Sequence, residues 1–399
     1  MSFVRALDRW AGGTMALAAL MAMAAAHAAT PKAAAQPPEL PAETLVESTL
    51  ASATAERIYV ADFAINNIID GRLRIFDATS GKVLGQLHTG YAGMFTLGAK
   101  ADEVYIATSY MSRGTRGERS EVLEVWDSNT LKLKYEVLLP PRRAQALNYR
   151  GLLTLSGNGR FAFVQNATPA TSITVVDLKE RKVATEVATP GCWGTLPAAS
   201  HPARIAMLCG DGKIATISFD DNGQVADRQV TDKLFDADQD AWFLHAERSA
   251  DRYWFVSFKG MLHEVDVGGG KAELKSSKNM VDADSAKQGW RPGGYQLFAV
   301  HPNGRWAVVA MHDKGSEGTH KLPAKRLWFV DVASGKRMGS MPGFGTASIT
   351  FSRNGQRLQA LDGTTGAMRV WRWADGKPMK LLTTVSPAGA AALQLESHD

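Results

Sequence analysis

The sequence predicts an all-β, seven-bladed β-propeller whose ring is closed by the C-terminal strand. Three observations carry this. A β-rich run ending in Asp and a polar turn recurs seven times after residue 56. An alternating strand led by a Gly-, Asn- or Asp-containing turn precedes the copies, and no helical spacing of 3.6 is sustained anywhere after residue 56. The C-terminal segment ends in a strand-like run with no repeat of its own.

The recurring unit reads RLRIFDATSGK (72–82), LEVWDSNTLK (123–132) and ITVVDLKERK (173–182). It returns as IATISFDDNGQ (214–224), LHEVDVGGGK (262–271), LWFVDVASGK (327–336) and MRVWRWADGK (368–377). Equivalent positions are Asp77, Asp127, Asp177, Ser218, Asp266, Asp331 and Arg372, an average step of about 49 residues. The fourth and seventh copies lack the Asp at its usual place. Segments such as SGNGRFAFVQ (156–165), HPNGRWAVVA (301–310) and SRNGQRLQAL (352–361) supply the hairpin turns and half-buried strands.

About 50 residues hold four short strands, the content of one propeller blade. One such unit cannot bury both faces, and stacking seven around an axis does so. A pair of β-sandwiches or a β-helix is the alternative. The first repeat starts late, at Glu56–Val60, and lacks an inner strand. The run Ala391–Glu396 is predicted to complete it.

The 399 residues are 45% apolar and 21% charged with a net charge of +5, a composition that excludes global disorder, collagen and coiled coil. Residues 1–28 read as a secretory signal: Arg5 and Arg9, an apolar run of about 13, then Ala26-His27-Ala28. An uncleaved anchor is the alternative, but the run is shorter than the roughly 20 residues a membrane span needs. Cleavage removes Arg5, Asp8 and Arg9 and lowers the charge to +4. Residues 29–55 are Ala/Pro-rich and read as a mobile arm, which leaves 56–399 for the propeller. No basic stripe interleaved with aromatics suggests nucleic-acid binding.

Cys192 and Cys209 are the only cysteines. In an exported chain they read as one disulfide, with two buried free thiols as the alternative. The polar stretch MHDKGSEGTHK carries His312, Asp313, Glu317 and His320, but its glycines set no diagnostic ligand spacing, so a partner-contacting loop is favoured over a metal site. The insert around Arg113, Arg116 and Arg119 is either a solvated hairpin tip or an interface. Trp290–Tyr295 combines aromatics with turn residues and fits a blade cap. GxSxG, P-loop, dinucleotide and HExxH motifs are all missing from the sequence. A propeller by itself names no function.

Six stretches then carry a resemblance: 112–127 (SRGTRGERSEVLEVWD), 139–149 (LPPRRAQALNY), 165–177 (QNATPATSITVVD), PGCWGTLP with CGDGK, 290–297 (WRPGGYQL) and 317–324 (EGTHKLPA). From about Arg57 onward the chain resembles the heavy subunit of the quinoprotein amine dehydrogenases, and NATPATSI, GCW and GTHKLPA look closer to the aromatic amine branch than to the methylamine branch. The resemblance implies a periplasmic assembly of two heavy and two light subunits. Its cofactor, tryptophan tryptophylquinone, and its catalytic aspartate belong to the light chain. The assembly oxidises a primary amine to an aldehyde and ammonia and passes electrons to a blue copper protein of amicyanin or azurin type.

On that resemblance this chain holds no catalytic residue, no metal and no cofactor of its own. Cys192 and Cys209 match the family's heavy-chain disulfide. Tyr91, in HTGYAGMFTLG (88–98), falls where the family places a substrate-channel aromatic, usually Phe; a plain blade-turn aromatic is its other reading. Arg113, Arg116, Arg119, Tyr295, His312 and His320 are the candidates for light-subunit contact. A stand-alone periplasmic propeller that binds a ligand or protein, and a propeller enzyme with its own axial site such as a lactonase, are the competing functions.

Overall fold

The computed structural model describes residues 49–50, 56–145, 149–377 and 379–398. The signal segment 1–28 lies outside them, as does the arm 29–55 apart from residues 49 and 50. Leu50 packs against the hydrophobic cluster of Tyr59, Leu73 and Ile75, and its backbone N–H donates to Asn129 O at 2.7 Å.

The chain is all-β. Strands Arg57–Asp62, Gly71–Asp77, Val83–Leu97, Glu103–Arg113, Arg116–Asp127 and Leu133–Leu139 follow one another in a single antiparallel sheet, with Ala392–His398 outside the first. Val83–Leu97 serves two neighbours: Val83–Gly90 pairs with Gly71–Phe76 and Tyr91–Leu97 pairs with Val104–Ser109. Five more sheets follow in chain order, starting at Leu153–Leu155, Cys192–Pro197, Trp242–Ser249, Arg291–Pro292 and Thr346–Phe351. In the fifth of the six sheets, Arg291–Pro292 and Phe298–Val300 both pair with Trp306–His312.

The pairing expected of the C-terminal run is present. Ala392–His398 lies antiparallel to Arg57–Asp62, with Val60 opposite Leu395. Ile58, Val60 and Leu395 are fully buried in one cluster with Leu361 and Val370. The first and last strands of the described residues therefore share a core.

The repeated Asp builds the turn that ends each run. Asp77 Oδ1 accepts from the backbone N–H groups of Thr79 (2.9 Å) and Ser80 (2.7 Å). Asp127, Asp177 and Asp331 accept equivalent bonds from residues two or three positions on. In the fourth copy Asp220 does this work, accepting from Asn222 N at 2.8 Å, two positions after Ser218. The turn then needs a left-handed residue. Gly81 and Gly335 provide it at φ +71°, but Leu131 and Arg181 hold the same place at φ +54°. Leu131 packs against the same hydrophobic cluster as Leu50, and Arg181 lies 4.4 Å over the Tyr135 ring.

Hydrophobic side chains fill the spaces between sheets. The largest cluster joins Val308, Leu327, Trp328 and Phe329 to Phe298, Ile349 and Leu358. Among the described residues, no helix is long and apolar enough to cross a membrane. The helices Ala237–Asp240 and Ala283–Lys287 are each about one turn long.

Candidate functional site

The first strands of successive sheets touch one another: the second half of Val83–Leu97 meets Leu153–Leu155, which meets Cys192–Pro197. Trp242–Ser249 likewise meets Phe298–Val300, which meets Thr346–Phe351, which meets Ala392–His398. Gln296 and Ser348 form a parallel bridge, so these two sheets enter from the same end. The segments leading into the strands, and the hairpins beside them, carry the residues singled out in the sequence.

Tyr91 opens the second half of its strand and is partly exposed, opposite Ser109. It sits in a tight irregularity. Gly90 and Ala92 have φ of +56° and +48°, and the register shifts between Tyr91 and Met94. A Cβ at position 93 would lie 1.9 Å from Thr89 O, so only glycine fits there. His88 stacks on Tyr110 with ring centroids 6.3 Å apart, and the Tyr110 hydroxyl donates to Glu124 Oε1 at 2.8 Å. Burial raises the Glu124 carboxyl above its ordinary pKa, and the bonds from Tyr110 and Trp126 only partly offset it.

Beyond Tyr110 the hairpin runs out into solvent. Arg113 faces Arg116 across its tip, and both are exposed. Arg119 turns back, its Nη2 donating to Pro141 O at 2.9 Å and its Nε 3.5 Å from Glu121 Oε1. The hairpin thus gathers three cations, two of them at its exposed tip.

Tyr295 is also partly exposed. Its ring lies 6.3 Å from Tyr149, Lys321 Nζ is 5.6 Å from its centroid, and its N–H donates to Ala347 O at 2.8 Å. His320 is exposed beside it, its carbonyl accepting from Gly294 N at 3.0 Å. His312 corrects the expectation. It is 3% exposed, it closes on Gly293, and its ring faces inward, so burial lowers its pKa. Its place is under the 313–325 loop, where it supports the surface without forming part of it. No group of three or more His, Cys, Asp or Glu among the described residues is arranged to hold a metal.

Cys192 and Cys209 face each other on paired strands and are bonded. The alternative of two free thiols is thereby excluded.

Two arginines were not singled out from the sequence as site residues. Arg143 is 2% exposed and holds the carbonyls of Tyr91 and Ala92. Arg150 lies in a cavity of about 590 Å³ lined also by Thr154, Trp193, Glu247, Arg353 and Glu396. It donates from Nε to Glu396 Oε1 at 2.5 Å and from Nη2 to Thr350 Oγ1 at 2.8 Å, and it is ion-paired to Glu247. Burial raises the Glu247 carboxyl, but the Arg150 charge and a bond from His245 outweigh this and hold it below its ordinary value. Glu247 and Glu396 share the single Arg150 cation. The cluster ties strands together.

The sequence model described as methylamine dehydrogenase heavy chain (MADH) matches residues 54–384. The methylamine dehydrogenase heavy chain of Methylophilus methylotrophus is 27% identical over 335 residues, 82% of this chain and 80% of the relative. That of Paracoccus versutus is 24% identical over 351 residues, 86% of this chain and 80% of the relative. Among solved structures, a Pseudomonas aeruginosa periplasmic gluconolactonase aligns with a TM-score of 0.58 at 15% identity, covering 86% of this chain and 99% of its own. The β-propeller domain of Myceliophteria thermophila Swd1 aligns at 0.55 and 12% identity, covering 82% and 98%. At such identities these two structures bear on the fold alone, and that fold is propeller-like.

Proposed function

Because the chain belongs to the methylamine dehydrogenase heavy-chain family, we propose that it is the large, non-catalytic subunit of a periplasmic quinoprotein amine dehydrogenase. The match over residues 54–384 carries this reading. The sheets are read as seven blades: the seven-stranded sheet counts as two, sharing Val83–Leu97, and Ala392–His398 closes the ring as the inner strand of the first.

The quinone, tryptophan tryptophylquinone, is assigned to the light subunit. When bound in the partner, the quinone supplies the electron sink for oxidation of a primary amine to aldehyde and ammonia. This chain's part is to hold the light subunit and wall the substrate channel with Tyr91. The Arg113–Arg119 hairpin, Tyr295 and His320 lie at exposed or partly exposed positions and are the proposed contacts. Two heavy and two light chains, a blue copper acceptor and a preference for aromatic amines complete the reading. The aromatic preference rests on the NATPATSI, GCW and GTHKLPA motifs, since the matched relatives are named for methylamine.

Co-expression with a cysteine-rich light chain tests the function. The expected result is a co-purifying complex with a quinone chromophore and amine dehydrogenase activity, while this chain alone is colourless and inactive. Failure to bind any light chain would favour a stand-alone binding propeller. Activity of the isolated chain would favour an axial site of its own.

A further inference from the structure

We propose that Arg143 is a positioning residue that sets the amine selectivity of the assembled enzyme by fixing the backbone at Tyr91. The proposal rests on the reading of Tyr91 as a channel wall.

The segment Gly90–Gly93 needs an external hold. Two of its residues are left-handed and the strand register slips within it, so the ladder with the neighbouring strand does not position it alone. Arg143 supplies the hold from the loop after Leu133–Leu139, where it forms an isolated bridge to Asn166. Nη2 donates to Tyr91 O at 2.9 Å and to Ser109 Oγ at 2.9 Å, and Nη1 donates to Ala92 O at 2.7 Å and to Ala144 O at 3.2 Å. One planar guanidinium thus spans two consecutive carbonyls of the irregularity and the residue opposite Tyr91. A lysine, with a single charged centre, cannot span them in the same way.

The charge is provided for. The buried Glu121 carboxylate accepts from Arg143 N at 2.8 Å, and its other oxygen is 3.5 Å from Arg119 Nε. Burial pushes the Arg143 pKa down to about 10, with Glu121 opposing the shift, so the group stays cationic at neutral pH and keeps its donors. The side chain ends in the protein, on three backbone carbonyls and the Ser109 hydroxyl, with the Tyr91 carbonyl and the residue opposite it among them. Arg142 beside it points outward to Glu186 at 2.8 Å and provides a control one position away.

The test uses the complex of heavy and light chains with Arg143→Met, Arg143→Lys, Arg142→Met, Tyr91→Ala and the Tyr91→Ala/Arg143→Met double variant. The readout is the ratio of kcat/KM for 2-phenylethylamine to that for methylamine. Tyr91→Ala should move the ratio about tenfold, the scale of a reshaped apolar pocket. Arg143→Met should move it in the same direction by a smaller factor, Arg143→Lys should restore it only in part, and Arg142→Met should leave it alone. The double variant should match Tyr91→Ala, because both changes act through one residue. If Tyr91→Ala moves the ratio and Arg143→Met lowers only overall rate or Tm, the Arg143 proposal fails and the channel reading stands. If Tyr91→Ala leaves the ratio unchanged, the channel reading fails and the proposal with it. Should Arg143→Met not assemble, Ser109→Ala removes one acceptor of the same guanidinium. A small shift in the same direction is then expected, and an unchanged ratio overturns the proposal.

Discussion

The Arg150 guanidinium donates to Thr350 Oγ1 at 2.8 Å across 200 residues of chain. The same side chain bonds Glu396 on the C-terminal strand and Glu247 on a third first strand, and its Nη2 also donates to Leu395 O at 3.0 Å. One arginine therefore joins first strands from three sheets, and its own loop leads into a fourth.

Arg150→Met should destabilise the protein strongly. It leaves Glu247, 9% exposed, and Glu396 beside it without their cation. Removing one partner of a buried ion pair costs about 3–5 kcal/mol. A fall in Tm of about 10 °C is expected by calorimetry. A Tm within about 2 °C of the parent would show that the cluster does not hold the sheets together.

Deleting residues 388–399 should collapse the thermal transition. It removes the strand on Arg57–Asp62 and uncovers Ile58 and Val60, both fully buried. It also removes Ala390 and Ala391, whose N–H groups bond the Asp62 carboxylate at 2.7 and 2.9 Å. A cooperative transition at an unchanged temperature would refute the role given to this strand.

The Cys192–Cys209 bond, spanning 17 positions, should contribute about 3 kcal/mol on the chain-entropy account. The Cys192→Ser/Cys209→Ser variant is expected to unfold at lower denaturant concentration with a similar m-value. Equal midpoints for the two proteins would count against it.

His263 should make stability pH-dependent. It is buried, stacked 4.3 Å from Trp242, and its Nδ1 meets Ser277 Oγ at 2.8 Å. Burial pushes its pKa down to about 4, with Asp240 slightly opposing. The unfolded histidine takes up a proton near pH 6.5. Between these values the unfolded state binds more protons, so stability is complete above about pH 6.5 and falls toward pH 4, by up to about 3 kcal/mol. His263→Phe keeps the stack and removes the titration. Chemical denaturation at pH 7 and pH 5 should show a larger loss for the parent than for the variant, and identical losses would exclude His263 as the source.

Much of this was legible in the chain itself. The recurring run ending in Asp marked the turns, because an Asp that accepts from its next two or three N–H groups is a local device. The return of the C-terminal run and the cysteine pair were legible for a similar reason: each was a single unmatched element with one natural partner. The ordered motifs marked the family, and the family model bears that out across residues 54–384. The hairpin arginines sit exposed, where their local sequence put them.

Other features were settled only by assembly of the sheets. Leu131 and Arg181 stand at the left-handed place that Gly81 and Gly335 fill in other copies, and only the fold brings their side chains beside Leu50 and over the Tyr135 ring. His312 lies in a polar stretch yet turns inward, because the last residue of its strand faces Gly293 and not the solvent. Arg143 and Arg150 read as ordinary basic residues until their partners arrive, Glu121 from 22 positions away and Glu396 from 246. The sequence by itself determined the strands, their turns and the family, because those depend on residues a few positions apart. The tertiary structure alone decided which charges are buried, because a buried charge is defined by the distant side chains that neutralise it.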